Sequence, residues 1–220
     1  MNKLKDINIL KTLYSLKSFG YDYSDAFDMN YSNTNNINLP DDMGKLRDIV
    51  EHCNLCSFSK TKNNILFANG TSKSGIMIVT FSPTDFEDGE GRFYVGRAGE
   101  LVYNIVTKVL NQDVNDVFIT SVLKCKAVLH DDSLTENVNI CKSYLMQQIK
   151  LLSPRIVLFF GENVYKYLTL NDDFEYIKGT IFDWSDTKVI ATYEHTHILK
   201  NPTLKKEVFD SMLKVKNFLE

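Results

Sequence analysis

Cysteine is scarce in this chain, with four in 220 residues, at Cys53, Cys56, Cys125 and Cys141. The N-terminal MNKLKDINILKTLY is interrupted by charge and does not read as a secretory leader. A reducing, cytoplasmic setting is therefore expected, and a disulfide framework is not. No run of 18 or more apolar residues occurs, which leaves no candidate membrane helix. Positive charge is not in excess either, since 25 Lys and Arg face 28 Asp and Glu, for a formal net charge of −3. That balance excludes a whole-molecule basic field, so a nucleic-acid partner has to be held by a local patch. What the chain does have is apolar content, 44% of its residues, enough for one medium domain with a substantial core.

A second C-x2-C pair is also missing. Zinc ribbons bring two such knuckles close in sequence, whereas here Cys53 and Cys56 form one pair, and Cys125 and Cys141 follow alone. Thiolates drawn from one knuckle and two distant elements suit an iron–sulfur cluster, in which each iron takes one thiolate. Zinc and ordinary buried thiols stay open as alternatives. Cys141 lies on an apolar helical stripe with Val138, Leu145, Ile149 and Leu152, where cysteine also serves as a small core residue.

Leu4, Ile7, Leu10, Leu13 and Leu16 recur at helical spacing, and the polar stretch YDYSDAFDMNYSNTNNINLP follows. Residues 1–40 are thus expected to be an N-terminal helix and linker, with the helix offering a surface to a protein partner. The domain proper is expected over 41–220, as a monomer, opening with a helix capped by Asp41 or Asp42 that carries Leu46, Ile49 and Val50 toward Cys53. Apolar runs at Ile76–Phe81, Asp116–Val122, Arg155–Phe160 and Lys188–Tyr193 predict strands. Helical patterns at 98–111, 136–152, 162–169 and 203–219 alternate with them. Strands apolar on both faces between helices imply a parallel sheet covered on both sides, an α/β fold built as a three-layer α/β/α sandwich. Ligands of such sheets bind beyond the carboxyl ends of the strands, so segments 81–97, 121–130, 161–163 and 194–202 should converge.

The first of these, FSPTDFEDGEGRFYVGRAGE, places a glycine-rich turn before a helix, where backbone amides bind phosphate and Arg97 would reinforce them. A charged surface loop is the plainer alternative. Gly91-Arg92-Phe93-Tyr94-Val95-Gly96-Arg97-Ala98-Gly99 resembles the GRPFVGRAG segment of the family 4 uracil-DNA glycosylases. Val117-Phe118-Ile119-Thr120-Ser121-Val122-Leu123-Lys124-Cys125 resembles that family's VYITNVVKC, and Cys141-x3-Leu145-x2-Gln148-Ile149 its C-x3-L-x2-Q-I helix. Pro154-Arg155-Ile156-Val157 with Phe160-Gly161 resembles PKVIVALG, and Thr192-Tyr193 with Leu199-Lys200-Asn201-Pro202 brackets TYHPAYLLRNP. The resemblance runs from about residue 50 to 219, with matching cysteine spacing.

It implies a sandwich around a four-stranded parallel sheet, a structural 4Fe-4S cluster on Cys53, Cys56, Cys125 and Cys141, and excision of uracil or a related damaged base from single- or double-stranded DNA. Tyr94 stands at the base-stacking position, and Phe81 and Ser82 lie in the strand-end loop that faces the base. Thr80-Phe81-Ser82-Pro83-Thr84 matches the family's GEAPG, so Phe81 replaces the water-activating acid. Asp85 is the nearest substitute, with Glu87 and Asp88 behind it. Ser121 stands for the base-reading Asn. Glu194 stands for the electrophilic His, whose task would pass to His195 or His197. Arg92, Arg97, Lys124 and Lys200, with Lys126, Lys205 and Lys206, form the local basic patch, and His130 is read as solvated. Two functions follow: a glycosylase with a rearranged catalytic set of Asp85, Ser121 and His195, or an inactive iron–sulfur protein that still binds DNA.

Overall fold

In the computed structural model, strands β1 (Ile76–Thr80), β2 (Phe118–Ser121) and β3 (Ile156–Phe160) are short, β-branched or aromatic runs with every residue buried. They pair in parallel, as do β3 and β5 (Thr187–Thr192), and β4 (Ile181–Trp184) completes a sheet of order β2-β1-β3-β5-β4. The structure describes residues 39–128 and 131–220. The helix expected over 3–18, its linker up to residue 38, and His130 lie outside the described residues.

The expectation of four strands is corrected to five, because β4 pairs antiparallel with β5 at the edge. Ile181, Phe182 and Trp184 are only half-buried and Asp183 between them is exposed, so no apolar run marks it. Ser185 and Asp186, at φ 46° and 61°, make the two-residue turn with both central residues left-handed that suits a hairpin. Asn-Gly is the strong sequence signal for that turn, and Ser-Asp does not advertise it.

Alternate residues of each strand point to opposite faces. Met77, Val79, Phe118, Val157, Phe159, Val189 and Ala191 pack with α1 (Met43–Glu51), α4 (Leu134–Leu152), α5 (Glu162–Thr169) and α6 (Phe174–Ile177). Ile76, Ile78, Ile119, Ile156, Leu158, Phe160 and Ile190 pack on the other side with α3 (Gly96–Asn104, extended by a π-turn over Ile105–Val109), α7 (His195–Lys200) and α8 (Lys205–Leu219). Burial on both faces, at roughly 1.5–3 kcal/mol for each large aliphatic side chain, is what sets the three layers. A further short helix, α2 (Asp85–Glu90), follows β1. Asp42 caps α1 by accepting from the Lys45 amide at 2.8 Å. Among the described residues no helix is long and apolar enough to cross a membrane.

Candidate active site and metal centre

At the carboxyl ends of the strands the chain keeps pairing for one step beyond the sheet. The Val122 and Leu123 amides donate to the Thr80 and Phe81 carbonyls at 2.9 Å, and the Gly161 amide donates to the Thr192 carbonyl at 2.8 Å. Gly161 sits at φ 117°, and a Cβ there would come 3.2 Å from that of Glu194. The expected loops therefore start from one end of the sheet, where parallel strands place ligand sites.

The loop after β1 is held by its own acids. Thr84 and Glu87 form a capping box that opens α2, and buried Asp88 accepts from the Asn63 and Asn64 amides, each at 3.1 Å. Glu87 and Asp88 are thus structural caps rather than free carboxylates. The two glycines that follow are forced by crowding: a Cβ on Gly96 would meet the Phe86 ring at 2.9 Å, and one on Gly99 would meet the Tyr94 carbonyl carbon at 2.4 Å. Tyr94 itself is left-handed, at φ 67°, a conformation a bulky residue holds only when its surroundings impose it. Its ring packs edge-on against Tyr103, with 6.3 Å between centroids. Its hydroxyl is buried without a hydrogen-bond partner, and burial, reinforced by the Glu87 carboxylate, pushes its pKa up. Tyr94 and Arg92 line one cleft of about 370 Å³ with Phe86, Glu90, Val95, Gly96 and Glu100.

The other expected residues are dispersed around that end. Phe81 is buried and stacks on Tyr167 of α5 at 5.5 Å, and Ser82 beside it is half-buried. Asp85, exposed at the start of α2, is ion-paired with Lys126. Ser121 is buried, and its hydroxyl donates to the Leu123 carbonyl at 2.7 Å. His195 opens α7, is 2% exposed, and has neither ring nitrogen hydrogen-bonded. Burial lowers its pKa against the opposing pull of the Glu194 carboxylate. Glu194 accepts from the Thr196 hydroxyl at 2.7 Å and lines a second cleft, of about 160 Å³, with His197, Glu162, Asn163, Phe174, Glu175 and Tyr193. The two clefts share no residue, so Tyr94 and Glu194 do not face one cavity.

Arg92, Arg97 and Lys200 are exposed, as phosphate contacts must be. Lys124 is not, and its expected contact with DNA is corrected. It is 2% exposed, and its ammonium donates to Thr120 Oγ1 at 2.6 Å, the Ser121 carbonyl at 2.7 Å and Gln148 Oε1 at 2.8 Å. Burial lowers its pKa to about 7. Gln148 was legible only as part of a motif and was given no role, although a glutamine on the apolar face of the helix that carries Cys141 is a usable signal that a buried donor awaits it.

The four cysteines come from three segments: the knuckle between α1 and the 3₁₀ turn Ser57–Lys60 (Cys53 and Cys56), the loop after β2 (Cys125) and α4 (Cys141). All belong to or pack against one core cluster. Burial raises the Cys125 pKa to about 12, with Cys141, Cys56 and Cys53 each adding to the rise, and that of Cys141 to about 11, with Cys53 and Cys56 adding. Two sulfurs accept hydrogen bonds, Cys141 from the Lys124 amide at 3.3 Å and Cys53 from the Tyr144 hydroxyl at 3.6 Å. Among the described residues no three His, Cys, Asp or Glu side chains group as a site for a single ion.

The profile of the family described as the uracil DNA glycosylase superfamily matches residues 67–215. The chain belongs to the uracil DNA glycosylase superfamily. Within that superfamily it is similar to the type-4 uracil-DNA glycosylase of Saccharolobus solfataricus, 30% identical over 188 residues that cover 81% of this chain and 87% of the relative. The type-4 enzyme of Sulfurisphaera tokodaii is 29% identical over 185 residues (80% and 84%), and that of Archaeoglobus fulgidus 31% over 186 residues (79% and 92%). The matched span holds all five strands, Tyr94, His195, Cys125 and Cys141, while Cys53 and Cys56 precede it.

Proposed function

We propose that this protein is a DNA base-excision glycosylase that draws uracil or a related damaged base out of DNA and hydrolyses its N-glycosidic bond. The observation that carries the reading is the placement of Tyr94, an aromatic residue in an enforced left-handed turn that lines a cleft together with exposed Arg92. A flipped base needs an aromatic face, and its 5′ or 3′ phosphate needs a cation within a few ångströms. Arg97 and Lys200 extend the cationic rim, which suits single- or double-stranded DNA despite the acidic balance of the whole chain.

Hydrolysis breaks the C1′–N bond, adds water oxygen to C1′ and leaves the base as an anion that must be stabilised and then protonated. His195, kept neutral by burial and with both ring nitrogens unpaired, is the donor to the base oxygen, reached by a small shift at the start of α7. Glu194, whose carboxylate accepts from the Thr196 hydroxyl, acts on the neighbouring His195 in the direction that favours its protonated, donating form. Asp85 guides the attacking water once its pairing with Lys126 opens. Ser121 acts through its backbone position at the end of β2, its hydroxyl proton being committed to Leu123.

The thiol set fits a 4Fe-4S cluster. Four cysteines from one knuckle and two distant segments belong to or pack against one core cluster, and two already accept protein hydrogen bonds of the kind that stabilise ligating sulfur. When bound, the cluster supplies a cross-link among those segments. The deciding experiment is base release from single-stranded and duplex oligonucleotides carrying uracil or hypoxanthine, with iron-reconstituted protein in excess. Release of either base is expected; DNA binding without release would overturn the assignment in favour of an inactive binding protein.

A further inference from the structure

We infer that Lys124 is a positioning residue that holds the Cys125 and Cys141 segments in register for the metal centre and ties that centre to the end of β2. The inference rests on the cluster assignment proposed above. Lys124 precedes Cys125 directly, and its ammonium reaches Gln148 on α4 at 2.8 Å, two helical turns beyond Cys141. Its other two protons go to Thr120 and to the Ser121 carbonyl, so all three are used. Gln148 and Thr120 in turn donate to the Phe67 carbonyl at 3.2 and 2.8 Å, and the Leu66 amide donates to the Lys124 carbonyl at 2.8 Å. The Lys124 amide completes the set by donating to Cys141 Sγ at 3.3 Å.

This arrangement decides helix rotation. A slip of α4 by one residue would shift Cys141 by about 1.5 Å along the helix and turn it by about 100°, carrying its sulfur away from a cluster shared with Cys125. Apolar packing on a broad face tolerates such slips better than a hydrogen bond to one named oxygen does. Stability by itself gives little reason for the lysine, since burying a charged group is costly and an apolar side chain of similar volume is commonly neutral or better. The segments it joins are the two distant cysteine segments, and the same atom grips the strand end beside the candidate base site.

The test uses holoprotein with Lys124→Met and, separately, Gln148→Leu, which cuts the same bond from the other side. Both variants are expected to lose the cluster's visible absorption to an iron chelator about tenfold faster than the parent, with a broadened paramagnetic resonance signal in the reduced state, at unchanged far-ultraviolet circular dichroism. Parent-like bleaching and an unbroadened signal in both would overturn the inference. If Lys124→Met does not fold, Gln148→Leu is decided by the same two outcomes. A parent protein that takes up no iron and sulfide would sink the cluster assignment instead, so the two failures are distinguishable.

Discussion

Two buried polar regions lie near the same end of the sheet and are built in opposite ways. Around Lys124 every donor has an acceptor, and the acceptors belong to three separate segments. At Tyr94 and His195, a hydroxyl and two ring nitrogens are buried with no partner. Leaving such a group unsatisfied costs about 1–3 kcal/mol, and native structures seldom keep one without a reason. The satisfied region serves architecture: it locks strand, helix and thiols together. The unsatisfied groups belong to the two residues proposed above for the base, where pairing would have to be made with a ligand.

That contrast can be broken by mutation. The largest effect is expected for His195→Ala, a loss of base release of about 100-fold or more with DNA binding retained, measured in single-turnover assays. Activity near the parent's would show that the unpaired imidazole is only a badly solvated core residue. Tyr94→Ala comes next: removal of a stacking face should weaken capture of a uracil-bearing strand by about tenfold or more, seen in KM more than in kcat. Tyr94→Phe sharpens the comparison, because it removes the orphan hydroxyl and keeps the face. Denaturant unfolding should then show a gain of about 1 kcal/mol with release within a few-fold of the parent, and a large loss of release would assign the hydroxyl itself to the base.

The smallest effect concerns pH. The folded-state pKa of His195 lies below its ordinary value of 6.5. On acidification the unfolded chain takes up this proton first. The His195 contribution to stability is therefore fully present above about 6.5 and is lost as pH falls from there toward the lowered folded value. Unfolding midpoints between pH 7 and 5 should fall less steeply in His195→Leu than in the parent, and equal slopes would contradict the burial argument.

The parallel strands were legible because each is a mostly β-branched or aromatic run with a buried apolar stretch, and α5 occupies the range expected from its pattern, 162–169. The edge strand β4 was not, since half of its surroundings are solvent and its turn lacks glycine. At the site, the motif around Tyr94 was visible as a string of glycines, but the reason for them, a Cβ colliding with Phe86 or Tyr94, needs the fold. Lys124 looked like one more basic residue beside Arg92 and Arg97, and only burial separates them. Glu87 and Asp88 were indistinguishable in sequence from solvated acids until their caps were seen.

By itself the sequence determined the layer order, the cysteine set and the aromatic candidate for the base, because period, spacing and residue type are local and survive without coordinates. Tertiary structure alone decided which charges face water, which donors are satisfied and which cleft each side chain lines. Those properties depend on what the rest of the chain packs against a residue, and identical side chains in neighbouring positions are assigned opposite roles by burial and by partners distant in the chain.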